Sequence, residues 1–247
     1  MGLYRRLLHA IDNHGVRGLF VRALAKLTPR ANPNPEFTFN ESGAPHPFDL
    51  AHRVETSGHI PGEQLGGNSP SDLYSTAYYG ISPSTLTDAL RRLPESAAGF
   101  TFVDLGCGKG RALLVAAQFP FSGILGVELS AELCQVAAKN CSADPRIAIQ
   151  QHDAATVTLP HGPLVVYFYH PFLKPVLRRV LSNLQHQRQH SADATYLLYA
   201  NCRYEDVMAK YPFLQVIWDY SLPLSPEDAA ADRHRITHER FTLYRAS

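Results

Sequence analysis

The stretch Val103-Asp-Leu-Gly-Cys-Gly-Lys-Gly110 decides the fold class of this chain. The apolar run at 101–105 is typical of a buried strand, and apolar residues at helical spacing resume after Arg111. Glycines between a strand and a helix let the backbone turn tightly and approach a ligand, because they carry no Cβ atom. In open α/β sheets, such a turn lies in the ligand crevice at the carboxyl ends of the strands. The stretch therefore predicts a strand, a ligand-binding turn and a helix.

Predicted strands and helices alternate on the C-terminal side of this turn. Apolar runs predict strands at 101–105, 123–128, 147–153, 164–169, 194–200, 213–220 and 241–245. Helical spacing predicts helices at 82–93, 111–118, 130–141, 172–187 and 205–210. Repeated strand–helix units imply parallel pairing, whereas the last two strands have no predicted helix between them and should be antiparallel. We therefore expect an α/β fold with a seven-stranded, mostly parallel Rossmann-like sheet and helices on both faces.

The first 75 residues have a different character. Residues 1–27 are basic and amphipathic, with five Lys or Arg against one Asp, and they predict a pair of helices. Such a pair packs its apolar stripe on the main domain or contacts a membrane surface, and we favour packing. Residues 28–75 show little periodicity, which is typical of a lid or a binding loop. We expect an N-terminal helical cap with a lid loop at 1–75 and the sheet domain at 76–247.

Bulk composition excludes several classes of protein. The formal net charge is +1 over 247 residues, so no global basic field favours nucleic-acid binding. The four cysteines show neither the close pairs of a zinc site nor a disulfide framework. We find no secretory signal and no apolar run near the ~20 residues of a spanning helix. These features predict a cytoplasmic protein with reduced thiols and no metal, and they leave its oligomeric state open.

Two acids and one arginine indicate the ligand of the glycine turn. Glu128 ends the second strand, where its carboxylate can accept from both ribose hydroxyls of an adenosine. The dinucleotide fingerprint requires a third glycine where this chain has Arg111. Asp104 precedes the first glycine, and its charge would repel a pyrophosphate but suits a ligand that bears a sulfonium and an ammonium. The pattern favours S-adenosylmethionine over a nicotinamide dinucleotide.

These motifs resemble those of a known family. The block at 102–140, with FVDLGCGKGRALLVAA and GVELS, resembles motifs I and II of class I S-adenosylmethionine-dependent methyltransferases. It is similar in particular to a bacterial group with a Dot1-like glycine loop. The resemblance extends to residues 48–49, 54–58, 79–83, 151–154 and 167–172. It implies a seven-stranded methyltransferase sheet and says little about the methyl acceptor.

The resemblance also implies a set of cofactor contacts. Asp104 and the glycines after it would line the methionine part, Glu128 would hold the ribose, and Asp153 would accept from the adenine amino group. The whole implied set is Tyr79, Ser82, Asp104, Gly106, Cys107, Gly108, Gly110, Glu128, Leu129, Asp153 and Ala154. Alternative roles stay open for three members of this set. Asp153 could be a strand-end turn residue. Tyr79 could be a packing tyrosine, and Ser82 a helix N-cap before a proline.

The segment Tyr169-His170-Pro171-Phe172 is the expected acceptor site. Relatives carry an amide side chain where this chain has His170. We therefore do not expect this chain to orient a nitrogen acceptor in the way that those relatives do. Since the ordinary pKa of histidine lies near neutrality, His170 is a candidate general base, with Tyr169 beside it. The equal alternative is a histidine that packs or makes one structural hydrogen bond.

We therefore predict an enzyme that transfers a methyl group from S-adenosylmethionine to a small molecule or a protein side chain. An inactive cofactor-binding module for protein interactions is the alternative, since His170 departs from the pattern of relatives. A nucleotide-dependent oxidoreductase is disfavoured by Asp104 and Arg111. Nucleic acid is an unfavoured acceptor because the chain is nearly neutral.

Overall fold

The computed structural model describes residues 45–62, 64–65, 69–232 and 235–247. Its main feature is a seven-stranded sheet. The strands are β3 (Thr101–Leu105), β4 (Gly123–Glu128), β5 (Ile147–Gln151), β6 (Leu164–Tyr169), β7 (Thr195–Ala200), β8 (Leu214–Pro223) and β9 (His238–Ala246). They lie in the order β5-β4-β3-β6-β7-β9-β8. Strands β3 to β7 pair in parallel, and β9 runs antiparallel to both β7 and β8. The predicted fold class is confirmed.

Helices cover both faces of this sheet. They are α1 (Pro47–His52), α2 (Pro83–Arg91), α3 (Arg111–Ala116), α4 (Ala131–Asn140), α5 (Lys174–Arg188), α6 (Glu205–Met208) and α7 (Pro226–Ala231). Strand residues alternate between the two faces, so Val103 joins one core cluster and its neighbour Phe102 joins the other. The first cluster takes the apolar side of α5, and the second takes those of α2 and α3. The sheet is therefore covered by apolar side chains of helices on both of its faces.

Two expectations about helices need correction. A short helix, α7, lies in the polar loop that we expected to be without one. Helical spacing of apolar residues is absent there, and the helix depends instead on Ser225, which accepts from the backbone N–H of Asp228, and on Pro226 at its first turn. The segment expected to be irregular also contains α1, the two-residue strand β1 (His59–Ile60) and a 3-10 helix at Pro70–Tyr74. A second short strand, β2 (Tyr78–Tyr79), pairs with β1.

The expected helical cap at 1–27 lies outside the described residues, and so does the rest of the chain up to residue 44. The proposed boundary near residue 75 stays a prediction. None of the helices that the structure does describe has both the length and the apolar character needed to cross a bilayer.

A buried polar network joins the segment after α1 to the glycine turn. Asp49 is 3% exposed and accepts from the backbone N–H of Thr56 (2.8 Å), from the Thr56 hydroxyl and from the backbone N–H of Ser57 (2.7 Å). The Arg111 Nε donates to the Thr56 Oγ1 at 2.7 Å, and its Nη2 lies 3.7 Å from the Asp49 Oδ1. Because Arg111 is the first residue of α3, this network fixes residues 49–57 against the turn.

We expect Thr56→Val to lower the free energy of unfolding by about 1–3 kcal/mol. Valine keeps the shape of the fully buried side chain but removes the hydroxyl that bonds both Asp49 and Arg111, which leaves buried polar atoms with fewer partners. Urea unfolding monitored by circular dichroism gives the value. Thr56→Ser keeps the hydroxyl and is the control. Equal stability of the valine and wild-type proteins would show that the network is energetically neutral.

Candidate active site

A cleft opens at the carboxyl ends of β3, β4 and β6. It brings together most of the residues that we predicted from the sequence to form the site. Those that line it are Tyr79, Asp104, Gly106, Cys107, Gly108, Glu128, Leu129, Asp153, Ala154 and Tyr169. Ser82, Gly110 and His170 do not line it. The position agrees with the crevice expected for a turn between a strand and a helix.

The first two glycines of the turn have conformations and neighbours that exclude a side chain. Gly106 has a φ of +92°, and a Cβ atom there would lie 2.7 Å from the Cβ of Pro171. Gly108 has a φ of +54°, and its Cβ would collide with the ring of Tyr78. Both positions are in the left-handed region, which glycine alone adopts without strain. The turn therefore presents bare backbone to the cleft.

Glu128 connects this turn to the start of α4. Its two carboxylate oxygens accept from the backbone N–H groups of Gly108 and Ser130, each at 2.9 Å. Burial raises the pKa of Glu128, and the backbone hydrogen bonds oppose that effect. Each oxygen of a carboxylate has a further lone pair, so the group can still accept from two ligand hydroxyls.

Asp104 and Tyr167 lie side by side in the floor of the cleft. They are register partners on β3 and β6 and are 2% and 1% exposed. Burial, with the nearby Glu128, raises the pKa of Asp104 well above its usual range. The hydroxyl of Tyr167 is buried and has no hydrogen-bond partner among the residues that the structure describes. A cationic ligand in the cleft would favour ionised Asp104 and could offer the hydroxyl a partner.

Asp153 binds the chain segment that closes one side of the cleft. Its Oδ2 accepts from the hydroxyls of Ser69 and Ser71, both at 2.6 Å, and its Oδ1 accepts from the backbone N–H of Ala155. Burial opposes ionisation of Asp153, but the two serine hydroxyls outweigh it, so its pKa lies below its usual value. Sequence reasoning missed these serines, because a polar loop gives no periodic signal.

The side chain of His170 points away from the cleft. The residue has a φ of +42°, and its Nδ1 lies 2.7 Å from the hydroxyl of Tyr199, which belongs to the first core cluster. Burial, with the nearby Arg203, lowers the pKa of His170 to about 4. This placement favours the structural alternative for His170 over the general base, since the imidazole bonds to Tyr199 and does not line the cleft.

Ser82 and Gly110 lie outside the cleft for packing reasons. Ser82 precedes α2 but makes no side-chain cap; it donates instead to the carboxylate of Glu239. Gly110 begins α3 with a φ of +90°, and a Cβ atom there would lie 2.9 Å from the Sγ of Cys141. Gly110 therefore allows α3 to pack closely on α4.

Glu239 is a site-adjacent acid that the sequence analysis missed. It is 4% exposed on β9 and accepts from the hydroxyls of Thr85 and of Tyr169, the latter at 3.1 Å. Burial raises its pKa to about 7. A signal existed, because Glu239 shares the inward-facing alternation of Phe241 and Leu243 along the last strand.

Comparisons with known proteins agree with this geometry. Residues 102–209 match a family model described as a methyltransferase domain. Comparison with curated protein sequences finds no match. A chain of the complex between the Haloferax volcanii Trm112 methyltransferase activator and a methyltransferase is 16% identical, with 67% of this chain and 90% of that chain covered and a TM-score of 0.50. The N-methyltransferase NodS from Bradyrhizobium japonicum WM9, solved with S-adenosyl-L-homocysteine, is 14% identical over 65% of this chain and 85% of that chain, with a TM-score of 0.49.

The matched residues run from the second residue of β3 to the end of α6, and so contain the glycine turn, Glu128 and the floor of the cleft. The TM-score of 0.50 shows a fold shared with the chain of the Haloferax volcanii complex. Residues 102–209 are thus similar to a methyltransferase domain.

Proposed function

We propose that the chain binds S-adenosylmethionine in this cleft and methylates a small molecule or a protein side chain that enters beside Tyr79 and Tyr169. The observation that carries the proposal is the pair of buried carboxyl groups, Asp104 and Glu128, on either side of the bare glycine turn. A cofactor with a cationic end and a ribose diol needs these two groups, because buried charge is stable only when it is paired.

The cofactor fits the cleft because several groups there have unused hydrogen-bonding capacity or no opposite charge beside them in the protein alone. A cation that donates hydrogen bonds would lower the raised pKa of Asp104 and would give the buried hydroxyl of Tyr167 a hydrogen-bond partner. Glu128 would hold the ribose with its remaining lone pairs. Asp153 and Ala154 would line the adenine end, with Leu129 beside them. The backbone of Gly106 and Gly108 would allow the close approach.

The chain's contribution to the reaction is alignment and exclusion of water. When bound, the cofactor would supply an electrophilic methyl group for a lone pair of the acceptor, and its sulfur would keep the electron pair of the carbon–sulfur bond. Tyr79 and Tyr169 would enclose the acceptor, and residues 69–76 would cover it, since Thr76 donates to the backbone carbonyl oxygens of His170 and Pro171. Holding the two reactants in line supplies much of the rate in such a displacement.

Thermal unfolding with two candidate ligands tests the proposal. At about 100 times its Kd, S-adenosylmethionine should raise the Tm by roughly 5–10 °C, whereas NAD should leave it unchanged, because only a ligand of the folded state stabilises it. Calorimetric affinity should fall as the pH is lowered. The raised pKa values of Asp104 and Glu128 mean that acid protonates the groups that would hold the cofactor. Stabilisation by NAD alone would refute the proposal.

Two wider features belong to the same proposal. We propose a division into a cap and lid unit at residues 1–75 and a methyltransferase domain at residues 76–247. We also propose a cytoplasmic enzyme, with which four unbridged and buried cysteine thiols are compatible.

A further inference from the structure

We propose that the methyl acceptor is an amine, which the hydroxyl oxygen of Tyr169 binds, and that Glu239 is the positioning residue that directs this oxygen. The inference rests on the proposed function, because it names the acceptor class of the same cleft. It starts from one hydrogen bond, between the Tyr169 hydroxyl and the Glu239 carboxylate, at the end of β6.

The direction of this hydrogen bond determines what the cleft offers to a ligand. Tyr169 lines the cleft, and its hydroxyl donates to the Glu239 Oε1 at 3.1 Å. A phenol has a single proton, so a hydroxyl that donates to Glu239 presents only lone pairs on its other side. The Tyr169 oxygen must therefore meet a group that donates, such as an N–H. A carboxylate or a carbonyl has no proton to donate to it.

Glu239 is held so that this direction persists. Its carboxylate accepts from the hydroxyl of Thr85 and from Ser82, at the start of α2. It is 4% exposed, and no lysine or arginine within the described ranges forms an ion pair with it. Burial and Glu239 together keep the pKa of Tyr169 well above its usual range, so the phenol retains its proton.

The charges at this end of the cleft favour a cation. Tyr79, which also lines the cleft, donates to the Asp232 Oδ2 at 2.5 Å, so a second tyrosine has its proton directed at an acid. Asp104 lies one strand away, beside Tyr167. The guanidinium of Arg111 also lines the cleft, but it bonds to Thr56 and faces Asp49. An amine suits this wall, because its N–H groups donate hydrogen bonds and its protonated form is attracted by the carboxylates. The bound ammonium would release one proton to water before its lone pair attacks the methyl carbon.

The pH dependence follows from the same groups. Burial raises the pKa of Glu239 to about 7. The other titratable groups around the pair are Tyr79 and Asp232, which raise the pKa of Tyr169, and Tyr167, whose own pKa the pair raises. Above about pH 7 the carboxylate accepts from Tyr169, and the cleft presents lone pairs. Below it, protonated Glu239 can donate to Tyr169, whose own proton then turns to the cleft. Amine binding should therefore weaken as the pH falls through about 7.

Cofactor analogues with a nitrogen in place of sulfur and a three-carbon arm on that nitrogen test the inference without knowledge of the natural acceptor. The arm ends in an ammonium, a trimethylammonium, a hydroxyl or a carboxylate. At about pH 8.5 the ammonium arm should bind roughly 10–100-fold more tightly than the hydroxyl or trimethylammonium arms, which lack either the charge or the N–H. The carboxylate arm should bind least tightly. At about pH 5.5 the preference should be largely lost.

Variants test whether the preference for the ammonium arm depends on Tyr169 and Glu239. Tyr169→Phe and Glu239→Gln should each reduce the ammonium preference to less than about 3-fold, while S-adenosylhomocysteine binds within about 2-fold of wild type. The exposed Tyr220→Phe and Glu227→Gln are the matched controls and should keep the preference. If S-adenosylhomocysteine fails to bind wild type, the proposed function itself is wrong. If it binds but the four arms bind alike, or the preference survives in Tyr169→Phe, the amine inference is wrong and the proposed function stands.

Discussion

Replacing Glu128 with alanine is expected to weaken S-adenosylmethionine binding by roughly 10²–10⁴-fold. The change removes two charge-assisted hydrogen bonds to the ribose, each of which contributes at most about 1.5–3 kcal/mol. It also leaves the backbone N–H groups of Gly108 and Ser130 without the carboxylate that accepts from both. Isothermal titration calorimetry of the cofactor and of S-adenosylhomocysteine measures the loss.

A second variant separates the effect on cofactor affinity from the effect on protein stability. Glu128→Gln keeps the size of the side chain, but its amide nitrogen accepts from neither a hydroxyl nor a backbone N–H. We expect an affinity between those of wild type and alanine, with a smaller loss of stability than in the alanine variant. Unchanged affinity in Glu128→Ala, with the protein folded, would remove Glu128 from the site.

Gly106→Val is expected to abolish measurable cofactor binding, a loss of at least roughly 10³-fold or about 4 kcal/mol. A β-branched residue at a φ of +92° costs about 1–3 kcal/mol, and the contact with the Pro171 Cβ at 2.7 Å forces either the turn or the acceptor segment to move. Both displaced parts line the cleft, so cofactor binding is lost. Because the strain and the contact also destabilise the folded state, the free energy of unfolding should fall by about 2–5 kcal/mol. Calorimetry and urea unfolding measure the two losses.

Gly99→Val provides the matched control for this variant. Gly99 has a φ of +83°, so it carries similar backbone strain, but no heavy atom lies within 4 Å of its Cβ position. We expect a modest loss of stability from strain and normal cofactor affinity. Normal affinity in Gly106→Val would contradict the proposed approach of the cofactor to the turn.

Local patterns in the sequence determined much of the architecture. The runs at 101–105, 123–128 and 164–169 were predicted with the bounds that the structure has. A buried parallel strand is a nearly continuous apolar run, so its extent can be predicted from the sequence. The runs at 101–105 and 123–128 place the glycine turn and Glu128 at the carboxyl edge of the sheet, so the position of the cleft was predictable. The strand predicted at 147–153 ends at Gln151 in the structure, and Asp153 follows it at the same edge. The short helix α7 was not, because its capping residues carry no apolar period.

The orientation and partners of the site's side chains were decided only by tertiary structure. Whether His170 faced the cleft depended on a φ of +42° at the strand end, which turns its ring to Tyr199. Tyr169 gained Glu239 as a partner across 70 residues of chain, because β9 returns antiparallel beside β7. Sequence patterns report which residues are apolar and how they repeat, whereas the partner of a buried polar group is set by which distant strand packs beside it.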